Sequence, residues 1–144
     1  MMLPVDVPSI TEAVMETKMN ESGKNTETSI KAQIGEYWAE LKLEYSWNSD
    51  GSLFSVKTLS YIAKSNGRSK GNIKLGLVSR GNTGWHPLTD SGIQDGAWHS
   101  FVKTLAVEGN ANFADIHFNW IYDQAFPSAD VNMTGQKKVS YPSS

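Results

Sequence analysis

Three tryptophans in this chain stand beside side chains able to hydrogen-bond a polar ligand. Trp47 precedes Asn48 and Asp50, Trp85 precedes His86, and Trp98 precedes His99 with Asp95 three residues before it. An indole can stack on the apolar face of a sugar ring while Asn, Asp and His reach its hydroxyls. The same amphipathic ring also suits a membrane interface. Trp47 and Trp98 adjoin strands, so packing into the end of a sandwich competes with a binding role there. Trp85 lies between Gly84 and Pro87 in a long polar stretch, where a core role is harder to build. Trp85, His86, Asp95, Trp98 and His99 are therefore the predicted ligand-binding residues.

Other chemistry is poorly supported. His86, His99 and His117 are the only histidines, none paired at a metal-ligand spacing, and the chain has no cysteine. Neither a metal site nor a cofactor is expected. Asp95–His99 and Asp115–His117 remain as short-range dyads. No G-x-S-x-G elbow or phosphate-cradling glycine loop occurs. Glu36, Glu40 and Glu44 recur on one parity of a strand pattern interrupted by Lys42, which describes a solvated sheet face rather than a paired-carboxylate active site. The expectation is a protein that is not an enzyme.

Charge is unevenly spread. Residues 1–50 hold nine acids and four bases, whereas 51–89 hold six bases and no acid. Residues 90–130 return to six acids against Lys103 alone. Lys64, Arg68, Lys70 and Lys74 gather around one predicted turn and form a candidate contact for an anionic surface. The alternative is that they decorate a hairpin and pair with nearby glutamates. Nucleic acid is disfavoured, because the net charge is −2 and the patch from Lys64 to Lys74 contains no interleaved aromatics.

The elements that must hold these residues read as β-strands. In 36–47 the odd positions Tyr37, Ala39, Leu41, Leu43, Tyr45 and Trp47 are apolar and the even positions mostly charged, a strand buried on one side. Asn48–Gly51 is a turn, and 53–63 is a second strand whose alternation slips, as a β-bulge near Thr58 would make it. Ile30–Ile34 predicts a short strand, 73–78 and 98–107 two more, and 113–123 another with clean alternation. Val131–Met133 and Val139–Tyr141 predict a last hairpin around Thr134-Gly135. Residues 80–97 read as a long irregular loop. Residues 10–19 fit a short helix opened by a Ser9/Glu12 capping box, or a strand, followed by the polar run 21–29.

Within that scheme, Asp95-Gly96-Ala97-Trp98-His99 resembles the D-G-x-W-H motif of laminin-G and related lectin-like jelly rolls. It covers five residues and carries no binding residue across. The expected architecture is all-β: an N-terminal segment 1–27 and, over 28–144, a single antiparallel sandwich or jelly roll of seven to eight strands. The expected function is non-catalytic recognition of carbohydrate through loop aromatics. A membrane-acting or pore-forming sandwich protein and a protein-binding inhibitor or immunity-type partner are the alternatives. Trp38, an indole on the charged parity of its strand, is the candidate protein or homodimer contact. No basic leader with an apolar run opens the chain and no stretch is apolar enough to span a bilayer, so a cytoplasmic location, or export without a Sec signal, is expected.

Overall fold

The structure, a computed structural model, describes residues 25–142. These residues form nine strands in two antiparallel sheets packed face to face, a β-sandwich. Sheet A contains β1 (Thr26–Ile34), β2 (Tyr37–Trp47), β3 (Leu53–Ala63), β6 (His99–Ser100) and β7 (Thr104–Glu108). Sheet B runs in the order β5 (His86–Gln94), β4 (Arg68–Val78), β8 (Phe113–Tyr122), β9 (Val131–Ser140). The helix or strand expected over 10–19 lies outside the described residues.

The alternation in 36–47 turns its odd residues inward. Ala39, Leu41, Leu43 and Trp47 are buried, and Ile73, Leu75, Leu77, Ile116, Phe118 and Trp120 meet them from sheet B. Burial of each large side chain contributes roughly 1.5–3 kcal/mol, so this shared layer is the main source of stability. Gly35, at φ +59°, closes the two-residue turn that pairs Ile34 with Tyr37. The slipped alternation in β3 is a bulge: Lys42 pairs with Ser60 and Leu43 with Thr58, leaving Leu59 as the extra residue.

Besides β4, which begins at Arg68 rather than at residue 73, four boundaries differ from expectation. The polar run 21–29 is not all linker, because β1 begins at Thr26. The strand expected over 98–107 is broken at 101–103, opposite the β3 bulge. There the buried Thr58 hydroxyl donates to the Phe101 carbonyl at 2.6 Å and accepts from the Lys103 amide at 2.8 Å. The hairpin expected after residue 130 is one continuous strand, β9, because Gly135 is not a turn. It sits against β1 so closely that a Cβ there would strike the Lys31 carbonyl.

The fourth difference concerns the expected loop 80–97, most of which is β5. Its pairing with β4 slips three times, so no period-two signal survives. Gly71 and Gly92 face each other in that pair, and a Cβ on either would lie within 2.9 Å of the Trp120 indole. The glycines are there because the buried Trp120 indole needs their space. At the adjoining end the fully buried Gln94 accepts from Trp120 Nε1–H (3.0 Å) and the Asp123 amide (2.8 Å). Its Nε2 donates to Asn66 Oδ1 and the Asp123 carbonyl. This knot ties together β5, β8 and the β3–β4 turn.

Candidate functional site

Trp85 ends the β4–β5 connection, which is held rigid by its own hydrogen bonds. Thr83 Oγ1 accepts from the Leu77 amide (2.9 Å) and donates to the Gly84 carbonyl (2.7 Å), while Asn82 Oδ1 accepts from the Gly84 amide (2.8 Å). Gly84 adopts φ +64°. Gly76, in β4 beneath this connection, pairs with His117, and a Cβ on it would meet the Gly84 carbonyl at 3.1 Å. That missing side chain lets the loop lie on the outer face of sheet B. The Trp85 indole then meets the His117 ring edge-on, with centroids 6.2 Å apart. Trp85 remains 48% exposed.

The residues around it come from the outward parity of β4, β8 and β9. Successive rungs place Asp115 beside Lys138, His117 beside Gln136, Asn119 beside Lys74 and Thr134, and Ile121 beside Asn72 and Asn132. Asp115 and Lys138 approach to 4.0 Å, and the Lys138 ammonium lies 4.2 Å from the Phe113 ring centre. Asn119 Nδ2 donates to Asn132 Oδ1 (2.6 Å) and to the Met133 carbonyl (2.9 Å), which fixes the middle of the face. This surface is rich in amide, hydroxyl and imidazole groups and poor in net charge.

The outer face of sheet A has a different character. Its rungs set Glu44 between Glu27 and Lys57, and Lys31 against Glu40. Trp38 is half-buried there beside Gln33, with the Lys31 ammonium 5.7 Å from its ring.

Asp95, Trp98 and His99 lie elsewhere. Trp85 and His86 stand at one end of β5 and Asp95 just past the other, roughly 25–30 Å along the strand. The five predicted residues therefore do not form one site. His86 is exposed at the start of β5. Asp95 caps its own turn: Oδ1 accepts from the Ala97 amide (3.0 Å), and the carboxylate accepts from His99 Nε2 at 2.9 and 3.0 Å. A carboxylate only accepts, so the proton sits on Nε2. The His99 hydrogen bond, followed by that of the Ala97 amide, holds the Asp95 carboxyl below its ordinary value. Beneath it Tyr61 stacks on His99, centroids 5.6 Å apart. Trp98 is 46% exposed, but the Lys42 ammonium lies 5.1 Å from its ring centre. Here the polar partners are engaged with one another and a cation stands over the indole.

The basic residues are similarly engaged in part. Lys64 pairs with Glu36 at 3.5 Å and lies over Tyr37, and Arg68 Nε donates to Asp123 at 3.0 Å. Lys70 is exposed, and Lys74 belongs to the outer face of sheet B rather than to the turn. The four do not make one basic tip. Among the described residues, no three His, Asp or Glu side chains cluster as metal ligands, and no helix is long and apolar enough to cross a membrane.

His117, Asn119, Asn132, Thr134 and Gln136 were not among the predicted site residues. The outward parity of 113–123 carried His117 and Asn119, but reading 131–141 as a hairpin hid the row that completes them. Comparisons with family models, curated proteins and solved structures give no match to this chain.

Proposed function

We propose that this chain is a non-catalytic carbohydrate-recognition module and that its platform is the outer face of sheet B around Trp85. The observation that carries the reading is the half-exposed indole, braced edge-on by His117 and set on a face of neutral hydrogen-bonding groups. A sugar offers one apolar ring face and a rim of hydroxyls. The indole suits the first, and Gln136, Thr134 and His117 suit the second. Pre-organisation adds to this, because the Thr83 and Asn82 hydrogen bonds hold Trp85 in place before any ligand arrives. A neutral-glycan array followed by titration calorimetry tests it. Micromolar to millimolar binding that weakens in Trp85→Ala is expected, and an array without hits for a folded protein refutes it.

A second reading, contact with a membrane, is favoured by one feature at the opposite end of the sandwich. Phe126, in the β8–β9 loop, is 96% exposed, and Ile34 in the β1–β2 hairpin is 49% exposed. Such residues can enter a lipid interface, with Lys70 supplying attraction to anionic headgroups. Vesicle co-sedimentation separates the readings: binding lost in Phe126→Ser but kept in Trp85→Ala would favour the membrane.

A further inference from the structure

The Trp85 platform continues well past the indole. Alternate residues on an antiparallel strand are about 6.8 Å apart and neighbouring strands about 4.8 Å. From the His117–Gln136 rung to the Ile121–Asn132 rung the outer face therefore runs roughly 14 Å, and from β4 to β9 it is roughly 10 Å wide. Its two ends differ from its middle. Trp85 lies over the first rung, and the partly exposed Ile121 gives a second apolar spot at the last. Between them Thr134 and Lys74 flank the buried Asn119 and supply a polar rung. The Asn119–Asn132 hydrogen bond uses the Asn132 oxygen, which leaves the N–H donors of this exposed amide for a ligand.

We propose that this face binds an extended stretch of an unbranched, neutral glycan along β8, from Trp85 to Asn132, rather than one terminal sugar. The proposal rests on the reading of Trp85 as a sugar platform and adds length and charge class to it. A single ring stacked on Trp85 would leave the Ile121 end empty. A linear chain presents apolar ring faces at intervals with hydroxyls between them, which is the order of groups found here. Charge argues for a neutral chain. Lys74 is the one charged residue in the rungs from His117 to Ile121, and Asp115 and Lys138 beyond them offset each other. A polyanion would meet one unpaired cation and the Asp115 carboxylate.

Calorimetric titration with unbranched neutral glucose oligosaccharides, α- and β-linked, from monosaccharide to hexasaccharide, tests this on the full chain. Affinity is expected to rise roughly tenfold or more up to the trisaccharide and then level off. Asn132→Ala and Ile121→Ser should each lower trisaccharide affinity more than monosaccharide affinity, whereas Trp85→Ala lowers both. Circular dichroism confirms that each variant is folded, and two variants guard against one failing. Affinity independent of length overturns the extended site and leaves the platform reading standing. Tighter binding of heparin than of any neutral chain overturns the charge class. No binding at any length, by folded protein, overturns the platform reading itself.

Discussion

Replacing Trp85 with alanine is the sharpest perturbation of the proposed site, and its size follows from exposure. A tryptophan can bury up to about 250 Å². With 48% of Trp85 exposed, roughly 120 Å² is open to a ligand. A stacked sugar covers one ring face, about half of that area. At about 25 cal/mol per Å² the contact is then near 1.5 kcal/mol, slightly more than tenfold in affinity. Folding should change little. Trp85 gives up an edge contact with His117 but no core packing, so the expected loss of stability is within about 1 kcal/mol. Calorimetric titration of the best neutral oligosaccharide, beside urea unfolding of the same preparations, measures both. Trp98→Ala is the control, because its indole already has Lys42 over it and it immediately precedes β6 of the other sheet. An affinity change under about twofold in Trp85→Ala, or an equal loss in Trp98→Ala, would refute the assignment.

Three further outcomes test the frame that holds the site. Gln94→Leu leaves Trp120 Nε1–H and the Asp123 amide without their buried acceptor and should cost about 3–5 kcal/mol in urea unfolding; a loss under about 1 kcal/mol would show that the knot is dispensable. Gly71→Ala puts a Cβ 2.7 Å from the Trp120 ring and should cost about 1–3 kcal/mol by the same assay, with a neutral result contradicting the tight packing of that pair. For Asp95 the folded carboxyl titrates below its ordinary value of 3.8, so its hydrogen bond to His99 contributes above the unfolded value and is lost as pH falls through the lower folded one. A carboxyl carbon NMR titration should show that midpoint rising in His99→Ala, and equal midpoints in the two proteins would contradict the assigned cause.

Strand existence was legible wherever one face meets the core and the other meets water. The odd residues of β2 and the even residues of β8 alternate because a shift of one position would expose Leu41 or Phe118. The bulge in β3 was legible for the same reason, since it is the point where parity changes. β5 was not. As an edge strand it tolerates Pro87, and its slipped pairing with Gly92 against Gly71 removes alternation. What sets its sequence is Trp120 on another strand, and no local pattern records that contact. β9 was split because Gly135 read as a turn, whereas it answers to the Lys31 carbonyl of β1. Of the site, Trp85 was legible as a candidate from Gly84 and Pro87 beside it, whereas the exposure of Trp98, which adjoins a strand, was not. Nor was their separation, because it depends on β5 being a strand that carries the chain from one end of the sandwich to the other.

The contrast between the two outer faces bears directly on where a ligand would settle. A solvated face can be kept free of partners by mixed charge, because each Lys and Glu holds its own water and any approaching surface must strip it. Sheet A follows that rule, with Glu27, Lys31, Glu40, Lys42, Glu44 and Lys57 turned outward and its indoles attended by lysines. Sheet B departs from it between His117 and Ile121. Apart from Lys74 and Ile121, its outer groups there are amides, hydroxyls and one imidazole, which are cheaper to desolvate and able to both donate and accept. Such a face gains little by contacting a charged partner and most by contacting another neutral polyhydroxyl surface. The chain places its unattended indole on that sheet, and Gly76 supplies the room for it. A side chain at position 76 is therefore a direct test of the arrangement: Gly76→Ala, with its Cβ 3.1 Å from the Gly84 carbonyl, should displace Trp85 and weaken glycan binding while the core below stays folded.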